Sequence, residues 1–120
     1  MLTPIEIVQR NLRPYFPGVD VVRKVPTARP DFFFRVDMGA PARINLIQYR
    51  TLIIIQVYST DLGQVIDSLF EASDVVENLD MLDPLVSGVD ELTGPVELED
   101  PDIPQVHRWQ ITFQLYSTLD

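Results

Sequence analysis

Acid-base or nucleophilic chemistry needs a side chain that titrates near neutral pH and sits beside a partner. The only histidine in these 120 residues is His107. It opens a strand-like run with no partner evident nearby, so it reads as a surface or strand-edge residue. The chain has no cysteine, which rules out a thiolate nucleophile, a thiolate metal site and a disulfide framework. Asp90-Glu91 and Asp100-Pro101-Asp102 cluster oxygens of the kind a hard cation requires. They lack the spacing of a calcium loop, and the prolines beside the second pair favour a solvated acidic loop. There is no phosphate-cradling glycine loop, no Gly-x-Ser-x-Gly elbow and no His-Glu-x-x-His helix. Paired carboxylates for glycoside hydrolysis would need a sugar cleft, and the single tryptophan, Trp109, falls on the buried side of its strand. The expectation is a protein that is not an enzyme and uses neither cofactor nor metal.

The charges carry a positive signal. Net charge is −9, and it is unevenly spread. From Asp61 to Val106 there are thirteen acids and no lysine or arginine, whereas Met1 to Thr60 holds eight of the nine basic residues against four acids. A solvated acidic face accounts for any one of these charges. Segregation by halves also makes each molecule complementary to its own copies head to tail, the arrangement that closes rings or extends filaments. The pI near 4.3 argues against sequence-specific nucleic-acid binding, which draws its affinity from phosphate neutralisation.

These residues need a frame. A chain of 120 residues is expected to form one domain with a real core. Its N-terminal residues do not read as a signal peptide, and its longest apolar run, Leu52 to Ile55 with Val57 and Tyr58, is too short to span a membrane. A soluble protein is expected. The elements run α-β-β-β-α-β-β, an α+β chain with a single antiparallel or mixed sheet and two helices packed on one face. Thr3-Pro4-Ile5-Glu6 is a capping-box start, Ile5, Val8 and Leu12 share a face, and Pro14, Pro17 and Gly18 end the helix. Strands are expected at Val19 to Val25, Asp31 to Met38 and Thr51 to Ser59, the last being central. Gly39-Ala40-Pro41 is a break, and Ile44 to Tyr49 reads as a short sheet extension or an ordered loop. Thr60 or Asp61 caps a second helix whose stripe is Leu62, Val65, Ile66, Leu69, Val76 and Leu79, with Gln64, Asp67, Glu71, Asp74 and Glu77 facing away. The turn signal Thr93-Gly94-Pro95 is expected to divide β segments around Leu85 to Leu92 and Val96 to Glu99. In the last strand Trp109, Ile111, Phe113 and Leu115 alternate with Arg108, Gln110, Thr112, Gln114 and Tyr116.

The order of several short motifs resembles one family. Val25-Pro26-Thr27-Ala28-Arg29-Pro30-Asp31-Phe32-Phe33-Phe34-Arg35-Val36, then Gln56-Val57-Tyr58 before a helix, Gly94-Pro95-Val96, and Asp100-Pro101-Asp102 leading to Pro104 and His107-Arg108-Trp109-Gln110 together resemble the tail terminator, or tail completion, proteins of long-tailed bacteriophages. That resemblance implies a structural virion protein without catalysis. It would form a homo-oligomeric ring, typically a hexamer, that binds the end of the tail tube, stops its polymerisation and offers its other face to the head-tail connector. The partners implied are further copies of the chain, the major tail tube protein and the connector protein, with DNA passing through the ring and no membrane involved. The implied location is the virion tail, assembled in the cytoplasm of the host bacterium. Two other readings stand beside it: another head-tail connector or neck subunit, and a cellular small-ligand-binding regulatory domain, which would need a deep apolar pocket.

In the ring reading, the Gly39 to Arg50 loop and the Thr93 to Val106 segment project from opposite edges of the sheet. Arg43 and Arg50 of one subunit then face Glu97, Glu99 or Asp100 of the next. Arg29 and Arg108 complete the expected interface set, and Arg29, like Arg35, lies among prolines and aromatics suited to structural or intersubunit pairing.

Overall fold

A computed structural model describes residues 2–28, 30–98 and 105–118. Helix α1 spans Pro4–Leu12. It starts where the side chains dictate: the Thr3 hydroxyl accepts from the Glu6 backbone N–H, and the Glu6 carboxylate accepts from the Thr3 N–H, so two otherwise orphaned donors are satisfied. Pro14 lies in a single 3₁₀ turn, Arg13–Tyr15, after which Gly18 (φ +77°) turns the chain. Strand β1 is shorter than expected, Asp20–Val22. Strand β2, Phe32–Met38, is followed by the two-residue β3, Ala42–Arg43, and the long β4, Gln48–Ser59. Asp61, not Thr60, caps α2, Leu62–Glu77, by accepting from the Gln64 N–H. A short α3, Leu79–Leu82, precedes β5, Val86–Leu98, and β6, His107–Thr118.

The strands form one mixed sheet in the order β1-β2-β4-β6-β5, with β3 also paired to β4. Only β1 and β2 run parallel; the other pairs are antiparallel. The fold is α+β, as its element pattern implies, and β4 is central. The longest ladder joins β4 to β6 from Gln48↔Thr118 to Ser59↔His107. One face of this ladder carries Ile53, Ile55, Val57, Ile111, Phe113 and Leu115, all fully buried, and α1 and α2 cover it. The buried stripe of α2 is Val65, Ser68, Leu69, Ala72, Val75 and Val76. Of the residues expected in that stripe, Leu62 is instead exposed and Ile66 only half-buried. Gln64, Asp67, Glu71, Asp74 and Glu77 do face solvent.

Two further departures have physical causes. The Thr93-Gly94-Pro95 signal does not divide β5. The strand continues along β6 through register shifts between Asp90 and Thr93 and between Thr93 and Val96, so local turn chemistry is accommodated as bulges. Gly94 makes this possible. Its φ is +108°, and a Cβ there would lie 2.6 Å from the Gln110 carbonyl oxygen. Gly94→Ala is therefore expected to destabilise the domain by about 2–3 kcal/mol through backbone strain and steric conflict together, measurable as a lower urea midpoint with an unchanged m-value.

The second departure concerns Phe33. Alternation places it with Asp31, Arg35 and Asp37 on the sheet face away from the helices, yet it is fully buried. Its ring stacks on Tyr58, with centroids 4.5 Å apart and planes 10° from parallel. The Tyr58 hydroxyl donates to Gln56 Oε1 at 2.9 Å, Gln56 Nε2 donates to Gln110 Oε1 at 3.3 Å, and the Arg108 guanidinium lies 5.9 Å from the Tyr58 ring centroid. The outer face thus has a small aromatic core of its own.

Candidate protein-protein interface

The residues expected at an interface do not converge in one molecule. Arg43 and Arg50 lie beside the tip that joins β3 to β4, while Glu97 and Arg108 lie where β5 ends and β6 begins. On β6 the partner of Arg50 is Tyr116, eight residues beyond Arg108, so the two groups are about 26 Å apart at roughly 3.3 Å per residue. Arg43 and Glu97 also lie on opposite sides of β4. Arg29, Glu99 and Asp100 lie outside the described residues.

The chemistry of each described position differs. Arg50 and Glu97 are exposed. Arg43 is exposed too, but its guanidinium is engaged within its own turn. Its Nε donates to the Asn45 carbonyl and an Nη to the Leu46 carbonyl, both at 3.1 Å. The Asn45 Oδ1 accepts from the backbone N–H groups of Ile47 and Gln48, and Ile44 N donates to the Gln48 carbonyl. These bonds fix the turn. The side chains left over project outward: Ile44 is 47% exposed, Ile47 65% and Leu46 85%. The 44–49 segment is therefore an ordered turn with an apolar crown over residues 44–47, and Gln48 and Tyr49 extend the sheet as the start of β4. Its Ile-Asn-Leu-Ile composition was the available sequence signal, since apolar residues around an Asx-type turn have no strand or helix face to fill. Arg35 makes a local pair with Asp37 at 3.7 Å, and Arg108 lies against Tyr58.

A second surface feature escaped the sequence pattern. The 3₁₀ turn, the end of α2 and α3 line a groove of about 410 Å³ formed by Tyr15, Glu71, Asp74, Val75, Asn78, Met81 and Leu82. Met81 is 82% exposed, and Tyr15 and Leu82 are about half as exposed. The floor is apolar and one rim is acidic. A smaller apolar cleft of about 250 Å³ lies between the start of α1 and the base of the β3–β4 turn, lined by Leu2, Pro4, Met38, Pro41 and Tyr49 among others. Among the described residues there is no cluster of three or more potential metal ligands, and no helix is long and apolar enough to cross a membrane.

Asp83 departs from the solvated acidic half. Its carboxylate is 2% exposed and accepts from Arg10 Nε at 2.7 Å and an Arg10 Nη at 2.6 Å. Asn11 Nδ2 and the Leu85 N–H complete its shell. The Arg10 hydrogen bonds hold its pKa down to about 2 against the opposing effect of burial. One acid of the second half is thus neutralised within the chain by a base of the first.

With this geometry in view, a solved structure gives a match. The chain resembles one from the virion of a native gene transfer agent particle, with a TM-score of 0.70 over 97% of this chain and 95% of that one. The two share a fold nearly end to end. Identity is 12%, so the likeness is one of architecture, and no side chain carries over. No protein-family model and no curated protein matches the sequence.

Proposed function

We propose that this protein is a virion structural component of the tail-terminator type: a homo-oligomeric ring, typically a hexamer, that caps the phage tail tube, ends its polymerisation and joins tail to head without catalysing a reaction. The observation that carries the reading is the fold shared with a virion chain over nearly the whole of both molecules. The motif order supplies the tail-terminator part, and the halved charge supplies the head-to-tail part. In this reading the basic end at Arg43 and Arg50 and the acidic edge at Glu97 belong to contacts between neighbours, since the two sit on opposite sides of β4 and at opposite ends of the ladder. Arg29, Glu99, Asp100 and Arg108 are assigned to the same contacts. The ring would assemble in the cytoplasm of the host bacterium, reside in the tail and let DNA through its lumen.

The test is to add the purified protein to polymerising tail tube protein and measure tube lengths by negative-stain electron microscopy. Capping shortens the tubes in proportion to the protein added and leaves a ring at one end. Unchanged lengths with bare ends overturn the tail-terminator reading, and attachment to the connector without the tube favours a neck subunit.

A further inference from the structure

We infer that the apolar turn Ile44–Ile47 of one copy docks in the groove beneath Tyr15, Val75, Met81 and Leu82 of a second copy. Both surfaces are preformed. The turn is locked by the Arg43 and Asn45 hydrogen bonds, so little ordering entropy opposes docking. The groove is built on helices and has a volume of about 410 Å³, room for more than one aliphatic side chain. Neither is satisfied within its own chain, because Leu46 and Met81 are both more than four-fifths exposed.

Charge selects a second copy as the occupant. The turn is flanked by the exposed cations Arg43 and Arg50, and the groove is rimmed by Glu71 and Asp74. A basic knob and an acidic socket on different parts of one molecule make a head-to-tail contact, which repeats from copy to copy and closes a ring where the rotation between neighbours allows it. The inference deepens the ring reading by naming which surfaces meet. It moves the acidic partner of the Arg43 region from β5 to α2.

The experiment uses two variants of the full chain. Leu46→Asp spoils the knob and leaves the groove; Met81→Asp spoils the groove and leaves the knob. Both positions are solvent-facing, and melting temperatures within a degree or two of wild type verify folding. Light scattering and native mass spectrometry should show wild type associating, each variant alone monomeric with association weakened on the order of 100-fold, and an equimolar mixture forming a one-to-one heterodimer that grows no further. Raised salt should weaken the heterodimer. Variants that assemble like wild type, or a mixture that stays monomeric, overturn the inference and leave the ring reading to the tube-length measurement. Wild type that stays monomeric at high concentration also overturns it, and capping of tubes by that monomer would show the ring reading surviving alone.

Discussion

Phe33→Ala is expected to cost about 3–5 kcal/mol, the range for truncating a buried phenylalanine. That is a large part of the roughly 5–15 kcal/mol that holds a domain of this size together. Three losses add at this site. The ring is fully buried, so its transfer energy is forfeited and a cavity remains. The stack on Tyr58 at 4.5 Å contributes about 0.5–1.5 kcal/mol beyond area alone. Tyr58, itself buried, would lose the neighbour that fixes its ring while its hydroxyl still had to satisfy Gln56. Phe33→Leu keeps most of the volume and should cost about 1–2 kcal/mol. Equilibrium urea denaturation of both variants checks the pair. Similar small losses for the two would mean that the outer face tolerates truncation and that Phe33 and Tyr58 are no core.

Asp83→Asn should remove about 2–3 kcal/mol at neutral pH, because an amide cannot hold both nitrogens of Arg10 together with Asn11 and the Leu85 N–H. The pH dependence follows from the carboxylate being more acidic in the folded state, about 2 against an ordinary 3.8. A depressed folded pKa stabilises above the unfolded value and loses that contribution as pH falls toward the folded one. Over this interval the linkage amounts to roughly 2 kcal/mol. The stability gap between wild type and Asp83→Asn is therefore expected to stay constant above about pH 5 and to narrow between about pH 4 and pH 2. Denaturant midpoints across that range measure it, and a gap independent of pH would show that the carboxylate charge contributes nothing.

Asp83 also shows where reading by composition stops. Counted along the chain it is one of thirteen acids in a stretch without bases, and nothing near it distinguishes it from Asp80 or Asp74. Its role is set by Arg10, 73 residues away in sequence. Phe33 is a similar case: alternation assigns it a face, and only the strand pairing Phe33↔Tyr58 shows that this face is covered by aromatic stacking. The apolar turn was visible as Ile44-Asn45-Leu46-Ile47, yet its exposure follows from the pairing of β3 with β4 that carries it clear of the core. The groove had no signal at all, since its lining comes from three elements that meet only in the fold.

What the sequence determined by itself was local. The capping residues Thr3 and Glu6 placed the first helix start and Thr60 or Asp61 the second to within a residue, the apolar run from Thr51 to Ser59 marked β4, and apolar periodicity identified β6 and the helix-facing side of the sheet. The missing cysteine, the single histidine and the divided charge pointed away from catalysis and toward assembly. These are properties of neighbouring residues or of counts, and they need no knowledge of the path of the chain. The tertiary structure decided the rest: the parallel pairing of β1 with β2, the passage of β5 through its bulges, the burial of Phe33 and Asp83, and the separation of basic turn from acidic groove. Each depends on a partner distant in sequence, and a period of two or of 3.6 residues tells which side chains share a face but not what that face will meet.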